Sequence, residues 1–299
     1  MNYRELGNTG LKVSELGMGC WALGGDSYGS VEEKDALAAL ETAWEGGVNF
    51  FDTADMYGLG RSEKIVGQFL KGKPRERILI ASKAGHDFYR AGGIKKNFEP
   101  AYLRLACEKS LGRLGVDSID LYQLHSATVE ALEHGEAIGE FVKLRDEGKI
   151  RAIGVTVWSE EEALAALRDP RIQSIQLIVN LIDRRMVPKV LPSARAQKIG
   201  ILAREPLAKG LLSGKYGPDS HFPERDHRQG WSREKLQADL AKVREVQEQY
   251  KALALPLKTL ALRYVIGIPG VTTVIPGAKS AGQFRDHLAA ISQGPIEGH

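Results

Sequence analysis

The stretch "NFFDTADMYG", residues 49–58, runs from an apolar segment into Asp52, Asp55 and Tyr57, where a strand would ordinarily finish in Gly, Asn or Pro. Two further apolar runs end in chemistry: "ILIASKAG" carries Lys83 and "IDLYQLHSA" carries His125. A tyrosine with a pKa near ~10 is a poor proton donor at neutral pH unless a cation stabilises its phenolate. Lys83 can be that cation. A buried lysine in turn needs an anion, and Asp52 supplies one while holding the ammonium in place. His125 can then orient a carbonyl oxygen or help relay the proton. Together the four side chains suit protonation of a carbonyl oxygen while hydride reaches its carbon, or the reverse. No side chain can deliver hydride, so a nicotinamide cofactor is implied.

The elements that must position these groups follow a simple alternation. Short β-branched or apolar runs at 15–19, 49–52, 78–83, 119–125, 151–156, 174–180, 200–204 and 272–276 predict strands. Helical periodicity fills the gaps at 31–46, 62–71, 100–114, 129–147, 160–167, 187–197, 256–266 and 281–290. Eight βα units in one chain predict an α/β fold of the (β/α)8 TIM barrel type, a single domain over 1–299. The carboxyl ends of its strands converge at one mouth, which brings Asp52, Tyr57, Lys83 and His125 together. Two pieces lie outside the repeat. The opening "YRELGNTGLKVSEL" reads as an N-terminal β-hairpin that could plug the barrel, and 232–250 as an extra helix before the seventh barrel helix. The loop 217–231, rich in Pro, Gly and charge, reads as a substrate lid with contacts through Asp226 or Arg228.

Gly17, Gly19 and Ala22 in "GMGCWALGG" imitate the phosphate loop of a dinucleotide fold, but no helix opens inside the motif and no acidic strand end follows at the right distance. A tight loop at the barrel top, with Trp21 as a pocket wall, is the expectation. Net charge is +3 with both signs mixed throughout, which argues for a small-molecule partner and against nucleic acid or membrane. Cys20 and Cys107 stand apart, so neither a disulfide framework nor a metal site is expected. A polar, turn-rich start and the lack of long apolar runs predict a cytoplasmic protein.

The runs "NFFDTADMYG", "SKAG", "SLGRLGVDSIDLYQLH", "IRAIGVTVWS", "PLAKGLLSGKY" and "VIPGAKSAGQ" together resemble the aldo-keto reductases, of bacterial type and related to potassium-channel β-subunit-like members. The resemblance implies a catalytic tetrad of Asp52, Tyr57, Lys83 and His125, with Tyr57 as general acid and base, and NADP(H) extended across the mouth. It implies Gln176 at the nicotinamide carboxamide, beside Thr156 and the backbone of Val157. Arg204 takes the place of a ring-stacking aromatic, and Pro206, Leu207, Gly210 and Leu212 wrap the pyrophosphate. Gly277, Lys279 and Ser280 fall at the adenosine 2′-phosphate, Gln283 and His287 near the adenine, and Gly19, Trp21 and Asp52 complete the cofactor set. Trp21, Tyr57, His125 and Trp158 would contact substrate, with His86 and the lid at the pocket edge. The closing run "SQGPIEGH" is expected to lack the family's usual terminal helix. The implied function is reversible, NADPH-dependent reduction of aldehydes or ketones. The alternative is a nicotinamide-binding redox sensor or regulatory subunit.

Overall fold

The computed structural model describes residues 1–90 and 93–296; residues 297–299 of the closing run lie outside them. The chain opens with an antiparallel hairpin, β1 (Tyr3–Glu5) and β2 (Lys12–Ser14). Then come β3 (Met18–Gly19), β4 (Phe50–Asp52) and β5 (Leu79–Ala84), and a second small hairpin, β6 (His86–Asp87) with β7 (Lys95–Lys96). β8 (Ile119–Leu124), β9 (Ile150–Thr156), β10 (Ser174–Ile178), β11 (Gly200–Arg204) and β12 (Val271–Val274) complete the set. Eight of these form one parallel sheet in the order β12-β11-β10-β9-β8-β5-β4-β3. Parallel bridges Leu16↔Val274 and Gly19↔Gly277 join its edges, so the sheet closes into the (β/α)8 barrel.

Strands buried on both faces need apolar residues at nearly every position, and β5 and β8 are buried throughout. Leu79, Ala81 and Leu121 point inward with Phe50, Ala152 and Leu202. The first hairpin plugs this interior: Leu6 and Leu11 join the same cluster. Gly7 has no room for a side chain, since a Cβ would lie 2.4 Å from the Gly200 nitrogen.

The outer layer is α1 (Glu33–Glu45), α2 (Arg61–Leu70), α3 (Pro100–Leu114), α4 (Val129–His134), α5 (Glu136–Asp146), α6 (Glu160–Ala166), α7 (Val190–Ala196), α8 (Arg233–Gln249), α9 (Leu257–Gly267) and α10 (Ala281–Ile291). Ala36, Ala39, Leu40 and Ala43 give α1 its buried stripe, and a Ser159–Glu162 capping box opens α6. The extra helix is α8, which buries Leu236, Leu240, Val243 and Val246. Two expectations need correction. The helix at 129–147 is two helices, because Gly135 turns left-handed (φ 71°) between α4 and α5. The helix at 187–197 starts only at Val190, since Pro188 disfavours helical geometry at Val187.

Candidate active site

Side chains alternate along a strand, so the parity that turns Leu79 and Ala81 inward also turns Lys83 inward at the carboxyl end of β5. Phe50 and Asp52 on β4, and Leu121 and Gln123 on β8, repeat the pattern. Above the apolar layers lies a polar one drawn from alternate barrel strands: Gln123 Nε2 and Gln176 Nε2 donate to Asp52 Oδ1 at 3.0 and 2.9 Å, and Gln176 also donates to Gln123 Oε1 at 3.2 Å.

Lys83 is fully buried. Its Nζ donates to Asp52 Oδ2 (2.7 Å), to the Thr53 carbonyl (2.7 Å) and to Tyr57 Oη (3.1 Å). Burial acts to strip its charge, but Asp52 and Tyr57 hold the ammonium's pKa above its ordinary value. Burial raises the Tyr57 pKa, and the Lys83 charge opposes that rise. Tyr57 sits in the turn after β4, fixed by backbone contact: a Cβ on Gly58 would lie 2.4 Å from the Gly24 carbonyl oxygen. His125 packs edge-on to Tyr57 (5.9 Å between ring centres) and to His86 (4.8 Å). Burial, and then the Lys83 charge, push its pKa well below the imidazole range, so the ring is neutral. Its Nδ1 is buried without a partner.

These groups face a cavity of about 690 Å³. Asp52, Tyr57, His125, Trp21 and Trp158 line it, and Lys83 stands behind Tyr57. So do Gly19, Gln176, Arg204, Pro206, Leu207 and Gly210, and, around β12, Gly277, Lys279, Gln283 and His287. Three residues of the cofactor set do not. Thr156 is buried and accepts from the Ser126 amide (2.7 Å), Leu212 is buried in the core, and Ser280 caps α10 by accepting from Gln283 N (3.3 Å). Gly19 owes its lack of a side chain to barrel closure, since a Cβ would meet the Ile275 carbonyl oxygen at 2.8 Å. Arg204 stacks over Trp158 at 4.2 Å and donates to the Val157 carbonyl at 2.9 Å, while its Nε is buried and unpartnered.

Sequence reasoning missed the strap across this mouth. Tyr28 pairs with Asp226, and His227 N donates to the Ser27 carbonyl at 2.9 Å, joining the first loop to the 217–231 segment. Asp226 and Arg228 are buried and bound to each other (2.6 Å), with the guanidinium over Tyr28, Tyr216 and Phe222. They fasten the strap as a paired set, not as the free charges expected, and Arg228 also lines the cavity. Lys209, Lys215 and Lys258 also line the cavity; they lie on segments with no local periodicity that would single them out. With Lys279, they suit a polyphosphate, and the unpartnered Arg204 Nε–H together with the Gln176 Oε1 acceptor, whose amide hydrogens go to Asp52 and Gln123, suits a nicotinamide carboxamide. The donor set therefore fits a dinucleotide. Among the described residues no helix is long and apolar enough to cross a membrane, and no group of three or more His, Cys, Asp or Glu could hold a metal.

Comparison with known proteins agrees with this geometry. The sequence model of the Aldo/keto reductase family matches residues 15–297. The chain is 36% identical over 292 residues to the uncharacterized oxidoreductase YqkF of Bacillus subtilis, covering 97% of this chain and 91% of that protein. It is 31% identical over 306 residues to the NADH-specific methylglyoxal reductase of Escherichia coli, covering 96% and 92%. Among solved structures, the holo form of aldo-keto reductase AKR11C1 from Bacillus halodurans superposes with a TM-score of 0.84 at 33% identity, covering 99% of this chain and 92% of that one.

Proposed function

Because the chain belongs to the aldo/keto reductase family, we propose that it is an NADPH-dependent oxidoreductase that reduces aldehydes or ketones to alcohols, reversibly, as one barrel domain over 1–299. The reduced nicotinamide supplies the hydride when bound. Gln176 and Arg204 hold the ring end, Leu207, Gly210 and the lysines around them the phosphates, and Lys279 the 2′-phosphate. Tyr57 gives its proton to the carbonyl oxygen, and neutral His125 orients that oxygen beside Trp21 and Trp158.

The observation that carries the reading is the Lys83 Nζ contact with Tyr57 Oη at 3.1 Å, backed by Asp52 at 2.7 Å. A buried phenol ionises reluctantly, and the adjacent ammonium does most to offset the cost of phenolate formation as the proton leaves, with Arg204 adding to it. Nothing in the site favours the regulatory-subunit alternative. The test is single-turnover oxidation of NADPH on 4-nitrobenzaldehyde, extended to a panel of aldehydes, ketones and sugars. Tight cofactor binding with no turnover on any of them would overturn the proposal.

A further inference from the structure

Lys96 and His86 face each other across the β6–β7 hairpin, at directly opposed positions on one face, and both line the cavity. That hairpin follows β5 directly, three strands around the closed barrel from β12 and its Lys279 loop. These two basic groups therefore belong to the end of the cavity where Tyr57 and His125 stand. The Lys96 side chain is exposed, and its ammonium has no hydrogen bond or ion pair among the described residues. His86 stacks edge-on to His125 with ring centres 4.8 Å apart, and His125 stands 5.9 Å from Tyr57. The three rings form a short path from the proton donor to the lysine.

Among the described residues, no free carboxylate balances this end. Asp52 is bound to Lys83 (2.7 Å), and Glu162 accepts from the Trp158 and Ser159 amides (2.7 and 3.0 Å). Asp87 accepts from Asn97 (3.1 Å) and faces Arg90 (3.4 Å), and Glu205 turns to Lys209 (4.0 Å). Arg204, stacked on Trp158, adds a further positive charge with its Nε free. An unpaired cation at the rim of a cavity, backed by a histidine and an arginine and opposed by no free acid, selects ligands by charge.

We propose that the substrate is an anionic carbonyl compound: a short-chain aldehyde or ketone whose carbonyl lies at Tyr57 and His125 and whose carboxylate or phosphate is bound by Lys96 and His86. The inference rests on the reductase reading of the same site and narrows it to a substrate class.

The test uses matched pairs differing in one charge: 4-oxobutanoate against its methyl ester for the carboxylate, and glyceraldehyde 3-phosphate against glyceraldehyde for the phosphate. The expected wild-type result is a kcat/KM about tenfold or more higher for the anion of at least one pair, the scale of one charge-assisted hydrogen bond. The pair with the larger ratio identifies the anion. Lys96→Gln should remove most of that ratio through KM, and Lys96→Arg should keep it. Neutral partners reduced as well as the anions, or a ratio unchanged in Lys96→Gln, would overturn the proposal. Calorimetry on the cofactor-loaded protein separates this failure from failure of the reductase reading. Binding of 4-hydroxybutanoate that exceeds binding of 1,4-butanediol and is lost in Lys96→Gln sustains the anion site even without turnover; equal binding overturns it.

Discussion

The Lys83 ammonium stands 3.1 Å from the Tyr57 phenol oxygen, and its other two donors are taken by Asp52 and the Thr53 carbonyl. All three of its protons are engaged, so Lys83 tunes the phenol and has none to spare for a substrate. Tyr57→Phe keeps the ring and its packing but removes the proposed acid. Turnover should fall by at least about 10²-fold, the lower end for losing a general acid, with cofactor affinity within a few-fold by calorimetry. Lys83→Met should be as damaging, because it also leaves Asp52 buried and unpaired. Activity that survives in Tyr57→Phe would pass the proton to another group, with His125 next in reach.

The pH profile follows from the same neighbours. Burial raises the Tyr57 pKa and lowers that of His125 well below the imidazole range, so between about pH 6 and 9 the phenol is protonated and the imidazole neutral. Carbonyl reduction needs the phenol, and its kcat/KM should stay flat over that range and fall above it. Alcohol oxidation needs the phenolate and should climb across the same range. Stopped assays in both directions would check this; a limb near pH 6.5 in reduction would mean that an imidazole controls the step.

Under the proposed function cofactor choice turns on Lys279, whose Nζ donates to the Tyr28 carbonyl at 2.7 Å and so ties the β12–α10 loop to the strap. A 2′-phosphate must compete with that carbonyl, and an ammonium–phosphate ion pair outweighs an ammonium–carbonyl bond. NADPH should therefore bind more tightly than NADH by about 1–3 kcal/mol. Lys279→Ala should weaken NADPH far more than NADH. Calorimetric titration with both cofactors decides it, and tighter NADH binding would rule out the phosphate contact.

Asp55 offers a stability test away from the reacting atoms. Both its oxygens are buried without partners, and burial, with Glu63 nearby, lifts its pKa well above the carboxylate range. A raised folded pKa means that its stabilising effect is full below the unfolded value near ~4 and is lost as pH rises through the folded value. Asp55→Asn removes that loss. Its stability relative to wild type should grow from about pH 4 to 8 in urea unfolding. A loss of about 2 kcal/mol or more at neutral pH would show instead that the carboxylate is ionised and paired.

The barrel was legible because its strands are buried on both faces and so appear as apolar runs, and because Asp52, Lys83 and Gln176 fall at the ends of those runs in inward parity, whereas Gln123, in the same parity, was not singled out. What escaped depends on contacts between distant segments. The β6–β7 hairpin has two-residue strands, one of them two exposed lysines, which no alternation can signal. The pairing of Tyr28 with Asp226 links loops nearly 200 positions apart in the chain. Asp226 and Arg228 read as free charges because nothing local reveals that Tyr28, Tyr216 and Phe222 enclose the guanidinium. Gly135 was readable as a helix breaker, but the apolar periodicity on either side of it concealed the break.

The strap has an optical consequence. Trp21 lies on the His227 ring with centres 5.1 Å apart, Trp231 touches the same imidazole at 6.4 Å, and Trp158 lies under Arg204 at 4.2 Å. Three of the four tryptophans therefore sit against a charged or titratable group of the strap or the mouth, while Trp44, within α1 and under the Arg77 guanidinium, lies outside the cavity. The native emission divides into a signal that follows what enters or leaves the mouth and one indole that serves as an internal reference, so occupancy can be followed in real time on the unlabelled chain.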